Sequence, residues 1–192
     1  MTIYLIRHGK TPANEQRLYC GKTDISLSEA GRAALTGISY DVPKGSRYIT
    51  SGMRRTSETL EILFGNVPCE QVPEFQEMDF GRFEMHSYEQ LKEDQDYLAW
   101  ITGDNDANLT PGGESGVLMK NRVLAAFDRI SGEDRNTVII THGGVIAVIM
   151  EYLFPAEQKS RYQWQSTFGS GYRLTKTAGG WTYSDIKSNR RG

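Results

Sequence analysis

The segment Thr137-Val-Ile-Ile-Thr141 carries no charge and no polar alternation, and a few residues later Val145 to Phe154 is apolar on almost every side. A strand of this kind is buried on both faces, as in parallel sheets, and a helix apolar all round has protein on every side. The pair predicts the centre of a sheet covered by helices on both faces. Thr2 to Ile6 is another short apolar run, stopped by the glycine and proline of Arg7-His8-Gly9-Lys10-Thr11-Pro12. Ser26-x-x-Glu29 has the spacing of a capping box and predicts a helix running to Ile38 in spite of Gly31 and Gly37. Arg47 to Thr50 reads as strand, and Met53 to Phe64 as a helix with Leu60, Leu63 and Phe64 on its apolar side. Glu70 to Phe75 reads as extended, Ser87-x-x-Gln90 opens a helical stretch to Trp100, and Gly103 to Gly113 reads as loop. Met119, Val123, Ala126, Phe127 and Ile130 form the apolar stripe of a helix over Glu114 to Ile130. Tyr172 to Ile186, broken at Ala178-Gly179-Gly180, predicts a hairpin at a sheet edge, and Lys187 to Gly192 a frayed end. Strands separated by helices make the expected fold a three-layer α/β/α sandwich with a mainly parallel central sheet.

A length of 192 residues suits one domain with a core of ordinary size, so a single domain over residues 1–192 is expected. Lys and Arg number 22 against 24 Asp and Glu, a near balance that removes the electrostatic case for a nucleic-acid or anionic-membrane partner and leaves a small molecule as the expected one. Cys20 and Cys69 stand in no metal-ligand spacing and are expected to be free thiols in a reducing compartment. The N-terminal run is too short for a signal sequence, and no stretch approaches the length of a membrane span, so a cytoplasmic location is expected.

In open α/β sheets ligands bind beyond the carboxyl ends of the strands. Three predicted strand ends carry suitable residues: Arg7-His8, Ser51 to Arg55, and His142-Gly143-Gly144. Two of only three histidines sit there beside glycine, which lets a bulky group approach the backbone. Arginine near a buried sheet end is costly without an anion, and its planar fork matches two oxygens of a phosphate. Arg7 and Arg55 are therefore candidate phosphate clamps, against the plainer reading of Arg55, beside Arg54, as part of a solvated helix face.

Arg7-His8-Gly9-x-Thr11-x-x-Asn14 resembles the signature of the histidine phosphatase superfamily, which contains cofactor-dependent phosphoglycerate mutases and many small phosphatases. The likeness continues, in the family's order, through Cys20-Gly21-Lys22-Thr23-Asp24-x-x-Leu27, Ser51-x-x-x-Arg55-x-x-x-Thr59, Glu77-x-x-Phe80-Gly81-x-Phe83-Glu84 and Thr141-His142-Gly143-Gly144. It implies a phosphoglycerate mutase-like fold with His8 as nucleophile, forming a phosphohistidine, and with its second ring nitrogen donating to a fixed acceptor such as a backbone carbonyl. It implies that Arg7, Arg55 and His142 surround the non-bridging oxygens, with the amides from Gly143 onward adding positive field. Asn14 and the backbone at Cys20 and Gly21 match substrate-contact positions. Glu77 matches the general acid, while Glu84 matches a position that is usually structural. His86 reads as a rim residue without an assigned role. No metal and no cofactor are implied.

Gly21-Lys22-Thr23 is not a nucleotide-binding loop, because the required earlier glycine is Gln16 and no apolar strand leads into it. The three histidines lack metal-site spacing. Among related functions, a phosphatase is expected over a mutase, because the chain is shorter than typical mutases of the superfamily and Thr141-His142-Gly143-Gly144 is similar to the phosphatase branch. Phe80-Gly81-Arg82-Phe83-Glu84-Met85, with Tyr97, Trp100, Pro111, Gly113 and Glu114, resembles the α-ribazole phosphatases of cobalamin biosynthesis, although Met85 and His86 depart from the glycine commonest after that motif. A broad-specificity sugar-phosphate or phosphoglycerate phosphatase is the alternative. A catalytically inactive phosphate-binding module is a reading of another class, disfavoured because it needs no nucleophile and acid together. Tyr88, Tyr97 and Trp100 read as packing residues before they read as a pocket for a ring.

Overall fold

A computed structural model describes residues 1–102, 106–186 and 189–190. In chain order the elements are β1 (Thr2–Arg7), α1 (Pro12–Glu15), α2 (Glu29–Leu35), β2 (Ile38–Ser39), β3 (Arg47–Thr50), α3 (Arg54–Phe64), β4 (Cys69–Gln71), α4 (Tyr88–Leu91), α5 (Gln95–Ile101), α6 (Gly116–Ser131), β5 (Thr137–Thr141), α7 (Gly143–Leu153), α8 (Arg161–Trp164), β6 (Gly171–Thr177), β7 (Gly180–Asp185) and β8 (Asn189–Arg190). The main sheet has the order β4-β3-β5-β1-β6-β7, parallel from β4 to β1 and antiparallel through the β6–β7 hairpin.

Strand alternation builds two cores from the same strands. Ile3, Leu5, Ile49 and Ile139 point to one face, where they pack with Val123, Phe127 and Ile130 of α6 and with the apolar body of α7. Tyr4, Ile6, Val138 and Ile140 point to the other, against Leu35 of α2 and Leu60 and Leu63 of α3. Every residue of β5 is buried, as expected of a central strand without polar alternation. The three-layer α/β/α sandwich is therefore the observed architecture, the phosphoglycerate mutase-like fold that the resemblance implies.

The departures from expectation are local. The first long helix is capped by Ser28, whose hydroxyl accepts from Gly31 N–H at 3.0 Å, and not by Ser26. Tertiary contacts choose the cap: Ser28 N–H donates to Lys10 O, and its hydroxyl meets Glu15. The helix stops at Leu35 and not Ile38, because Gly37 takes φ +80° and turns the chain into β2. β2 pairs with β8, so Asn189 and Arg190 are strand and not a frayed end; residues 187–188 and 191–192 lie outside the described residues. The extended segment at Glu70 shortens to β4, since Pro73 opens a 3₁₀ turn. The stretch from Ser87 to Trp100 forms two helices, because the Asp94 side chain accepts from Asp96 and Tyr97 N–H and caps α5. The loop from Gly103 is irregular over its described part, 106–113, and residues 103–105 lie outside it. No helix among the described residues is long and apolar enough to cross a membrane.

Candidate active site

Register aligns the chemistry. Arg7 pairs with Thr141 in the β1–β5 ladder, so His8 and His142 leave the sheet abreast on neighbouring strands. Their ring centroids lie 5.1 Å apart, and His8 N–H donates to Thr141 O at 2.9 Å. On the other side of β5, Thr50 pairs with Ile140, so Ser51 emerges beside Thr141 and the first turn of α3 brings Arg55 to the same point. The three strand ends singled out in the sequence form one cluster.

His8 is 5 % exposed, and its Nδ1 lies 2.6 Å from Gly9 O. A carbonyl only accepts, so Nδ1 carries the proton and Nε2 the lone pair. Burial, opposed only by that hydrogen bond and reinforced by Arg55 and Arg7, holds the His8 pKa down to about 3. The unfolded chain binds a proton at this ring below about pH 6.5, whereas the folded chain does so only near 3, so stability from this group is full above 6.5 and falls through that window as pH drops. Between pH 7 and pH 5, wild type is expected to lose about 2 kcal/mol more than His8→Ala in urea unfolding. Equal losses in the two proteins would show that the ring is charged in the fold.

His142 is fully buried, and desolvation first, then Arg55, pushes its pKa well below the usual histidine range. Arg55 Nε donates to His142 Nδ1 at 3.3 Å, which leaves His142 Nε2–H to donate to Ser51 Oγ at 2.9 Å. Ser51 Oγ lies 3.1 Å from Thr56 Oγ1, which donates to Met53 O. Arg55, 1 % exposed, spends its other end on Gly21 O at 2.6 Å and Thr23 O at 2.9 Å. Arg7 donates to Ser166 O at 2.8 Å and stacks 4.1 Å over Phe168. Its Nε is buried with no hydrogen-bond partner. A desolvated guanidinium N–H left unpaired beside a neutral imidazole is a strong invitation to an anion.

Residues 3–189 match the model of the Histidine phosphatase superfamily (branch 1). The chain belongs to this superfamily. An adenosylcobalamin/alpha-ribazole phosphatase from Escherichia coli (strain K12) is 30% identical over 172 residues, covering 82% of each protein. Phosphoglycerate mutase-like protein 4 from Arabidopsis thaliana is 27% identical, covering 82% of this chain and 73% of that protein. The crystal structure of the alpha-ribazole phosphatase from Shigella flexneri superposes with a TM-score of 0.81 at 27% identity, over 100% of this chain and 98% of that one.

In this member of the superfamily, Glu77 and Glu84 have different surroundings. Glu77 Oε2 accepts from Gly144 N–H at 3.0 Å at the start of α7, two residues from His142, and Oε1 accepts from Met78 N–H at 3.1 Å. Glu84 is saturated: its carboxylate accepts from the N–H groups of Gly21, Lys22, Thr23 and Phe80 and from Thr23 Oγ1 at 2.6 Å. It ties the loop at 21–23 to the loop of Glu77. The Gly21 backbone is thereby committed at both ends, to Glu84 and to Arg55. A Cβ on Gly21 would overlap Met78 O, a backbone atom that cannot yield. Gly21→Ala is expected to cost about 1–3 kcal/mol in urea unfolding, and an unchanged midpoint would mean that the two loops are not locked.

Asn14 Oδ1 accepts from Thr11 N–H at 3.0 Å and from Thr11 Oγ1 at 2.9 Å, so this side of the carboxamide caps α1. Cys20 Sγ faces Thr23 O at 3.6 Å; burial raises its pKa, and both cysteines are free thiols. A Cβ on Gly143 would press on the Arg7 guanidinium carbon at 3.0 Å, so this glycine sets how closely α7 meets Arg7. His86 is exposed, with Nδ1 2.9 Å from Glu84 O.

Several further residues shape the site. Thr59 Oγ1 accepts Gly9 N–H at 2.9 Å and steadies the His8 loop; Ser51 pairs with His142. Both lie in Ser51-x-x-x-Arg55-x-x-x-Thr59, but their partners, Gly9 and His142, are 50 and 91 residues away and leave no mark on that spacing. Arg122 donates to Gln76 O at 2.8 Å and Glu77 O at 3.1 Å while bridging to Glu114, so it fixes the backbone that presents Glu77. Phe168 lies in a Ser/Thr/Gly loop with no local pattern to mark it; only the fold brings it under Arg7 and 5.9 Å from the His8 ring.

Proposed function

We propose that the protein hydrolyses a small phosphomonoester through a phosphohistidine on His8, within one domain over residues 1–192 and without metal or cofactor. The observation that carries this is the hydrogen bond from His8 Nδ1 to Gly9 O, which leaves a neutral Nε2 lone pair in a buried, arginine-lined site.

The Nε2 lone pair attacks phosphorus in line as the ester P–O bond breaks, and Glu77 in its acid form gives its proton to the departing oxygen. The Glu77 carboxylate then takes a proton from water, the water oxygen attacks phosphorus, and the P–N bond breaks to restore Nε2. Arg7, through its unpartnered Nε, with Arg55, His142 and the helix start at Gly143 stabilises the equatorial oxygens of a loose transition state. On binding, a phosphoryl oxygen accepts from Arg55 Nε–H in place of the long 3.3 Å contact to His142, and His142 changes tautomer, so that Ser51 Oγ–H donates to Nε2 and the proton now on Nδ1 is donated to that oxygen. The Asn14 carboxamide and the turn at Cys20 and Gly21 border the phosphoryl group.

The ester assigned first is α-ribazole 5′-phosphate. The run from Phe80 to Met85 and the names of the Escherichia coli and Shigella flexneri relatives support it. The same half-reaction serves a mutase when a sugar alcohol replaces water, in keeping with the name of the Arabidopsis relative. The test is phosphate release with chelator present from α-ribazole 5′-phosphate, 3-phosphoglycerate, common sugar phosphates and an activated aryl phosphate. A preference of at least about 100-fold in kcat/KM for α-ribazole 5′-phosphate is expected, worth about 3 kcal/mol of transition-state binding. Comparable slow rates throughout would leave a broad phosphatase. Interconversion of 2- and 3-phosphoglycerate faster than phosphate release would make it a mutase, and activity restored only by added metal would refute the mechanism.

A further inference from the structure

Arg47, Arg82 and Arg122 are each held by carboxylates, the first by Glu70 and Glu133, the second by Asp94 and Asp96, the third by Glu114. Arg7 is held differently. Its guanidinium carbon lies 4.1 Å from the centre of the Phe168 ring, and among the described residues its side chain makes one hydrogen bond, from Nη1 to Ser166 O at 2.8 Å, and no ion pair. Burial pulls its pKa down, with Glu77 opposing. The loop that carries Phe168 is tied to the end of β1: Arg7 N–H donates to Ser170 O at 2.8 Å, Gly169 N–H donates to Arg7 O at 2.9 Å, and the Tyr40 hydroxyl donates to Gly169 O. The ring is thereby delivered to the face of Arg7, 5.9 Å from the His8 ring.

A carboxylate in the place of Phe168 would cancel the charge that a phosphoryl group is to meet and would occupy the N–H groups that are to bind it. An aromatic face attracts a cation through its quadrupole, takes no N–H and adds no negative charge. We propose that Phe168 is a positioning residue, whose ring holds the Arg7 guanidinium in place as an unneutralised cation and so sets the affinity of the site for phosphate. The inference rests on the reading of Arg7 as a phosphoryl clamp, and Phe168 acts through Arg7 alone. Arg7 meets the non-bridging oxygens whatever the ester, so weakening its hold lowers the turnover of good and poor leaving groups alike, unlike a loss of proton donation at Glu77.

The test uses inorganic phosphate as an inhibitor of aryl phosphate hydrolysis, in wild type, in Phe168→Tyr and Phe168→Leu, and in chains carrying mono-, di- or trifluorinated phenylalanine at position 168. Fluorine drains the negative face of the ring with little change of shape. The inhibition constant is expected to rise stepwise with fluorine, to about fivefold at the third, and about tenfold in Phe168→Leu, while Phe168→Tyr stays within about twofold of wild type. A ring that only fills space would give a flat fluorine series, which would overturn the proposal; that series decides alone if Phe168→Leu does not fold. In Phe168→Leu, kcat/KM is expected to fall by one factor for activated and poor leaving groups, and a fall confined to poor ones would place the ring with Glu77 instead. On an Arg7→Ala background Phe168→Leu is expected to change phosphate inhibition less than about twofold, whereas an undiminished effect would show that the ring does not act through Arg7. Phosphoryl adduct on His8 of the wild type separates the two ideas: adduct with a flat series ends only this inference, and no adduct ends the phosphatase reading and this inference with it.

Discussion

His8→Ala is expected to lower phosphate release from every ester by about 10⁴-fold or more and to yield no phosphoryl adduct, with the cooperative unfolding transition retained. The loss is large because the site holds no substitute. His142 is the other imidazole in the cluster, and both of its nitrogens are engaged, one by Arg55 and one by Ser51. Water attacking directly would keep the arginines but lose the division of one hard displacement into two. The fold should tolerate the change, since the His8 ring meets mainly His142, Phe168 and its own loop and not the body of either core. Steady-state phosphate release and intact-protein mass after incubation with an activated aryl phosphate decide it. Activity within about tenfold of wild type would remove His8 from the mechanism.

Glu77→Gln is expected to slow esters of poor leaving groups by about 10²–10⁴-fold and an activated aryl ester by about tenfold or less. An alkoxide needs a proton as it departs, whereas a phenolate with an electron-withdrawing ring does not. The substitution gives up one contact, since an amide NH2 cannot accept from Met78 N–H, but the amide oxygen can still accept from Gly144 N–H, and Arg122 still holds Gln76 O and the carbonyl at position 77. A parallel loss on both substrates would transfer the acid role elsewhere. Glu84 is a poor heir, because five donors already occupy its carboxylate.

The legible part of the sequence was the part written in short-range pattern. β5 and α7 announced themselves by the absence of polar residues, and the three strand ends followed with Arg7, His8, Arg55 and His142 attached. Glu77 was different: it lies in a loop after the 3₁₀ turn at Pro73–Phe75, and only family likeness singled it out, because its position depends on Arg122 and Gly144 far along the chain. The misplaced cap at Ser26 has the same origin. Both Ser26 and Ser28 suit a helix start, and the decision falls to Lys10 O and Glu15, which no local spacing reveals. Phe168, Thr59 and the Ser51–His142 contact were illegible as roles for that reason, although two of them lay within a recognised motif.

The strand order has a consequence for how the molecule is made. β1 emerges first, yet its two neighbours are β5 and β6, and Thr2 N–H is satisfied by Asn136 Oδ1, 134 residues on. Until β5 slots between β1 and β3, a nascent chain carries two unpaired apolar edges and no His142, so closure of the sheet and assembly of the His8–His142 cluster are one event. Slow, non-local folding is the outcome of that topology, with exposed strands prone to association on the way. Chains truncated before residue 137 lack both β5 and His142, and Arg7 waits further for Ser166 and Phe168 to reach its own partners.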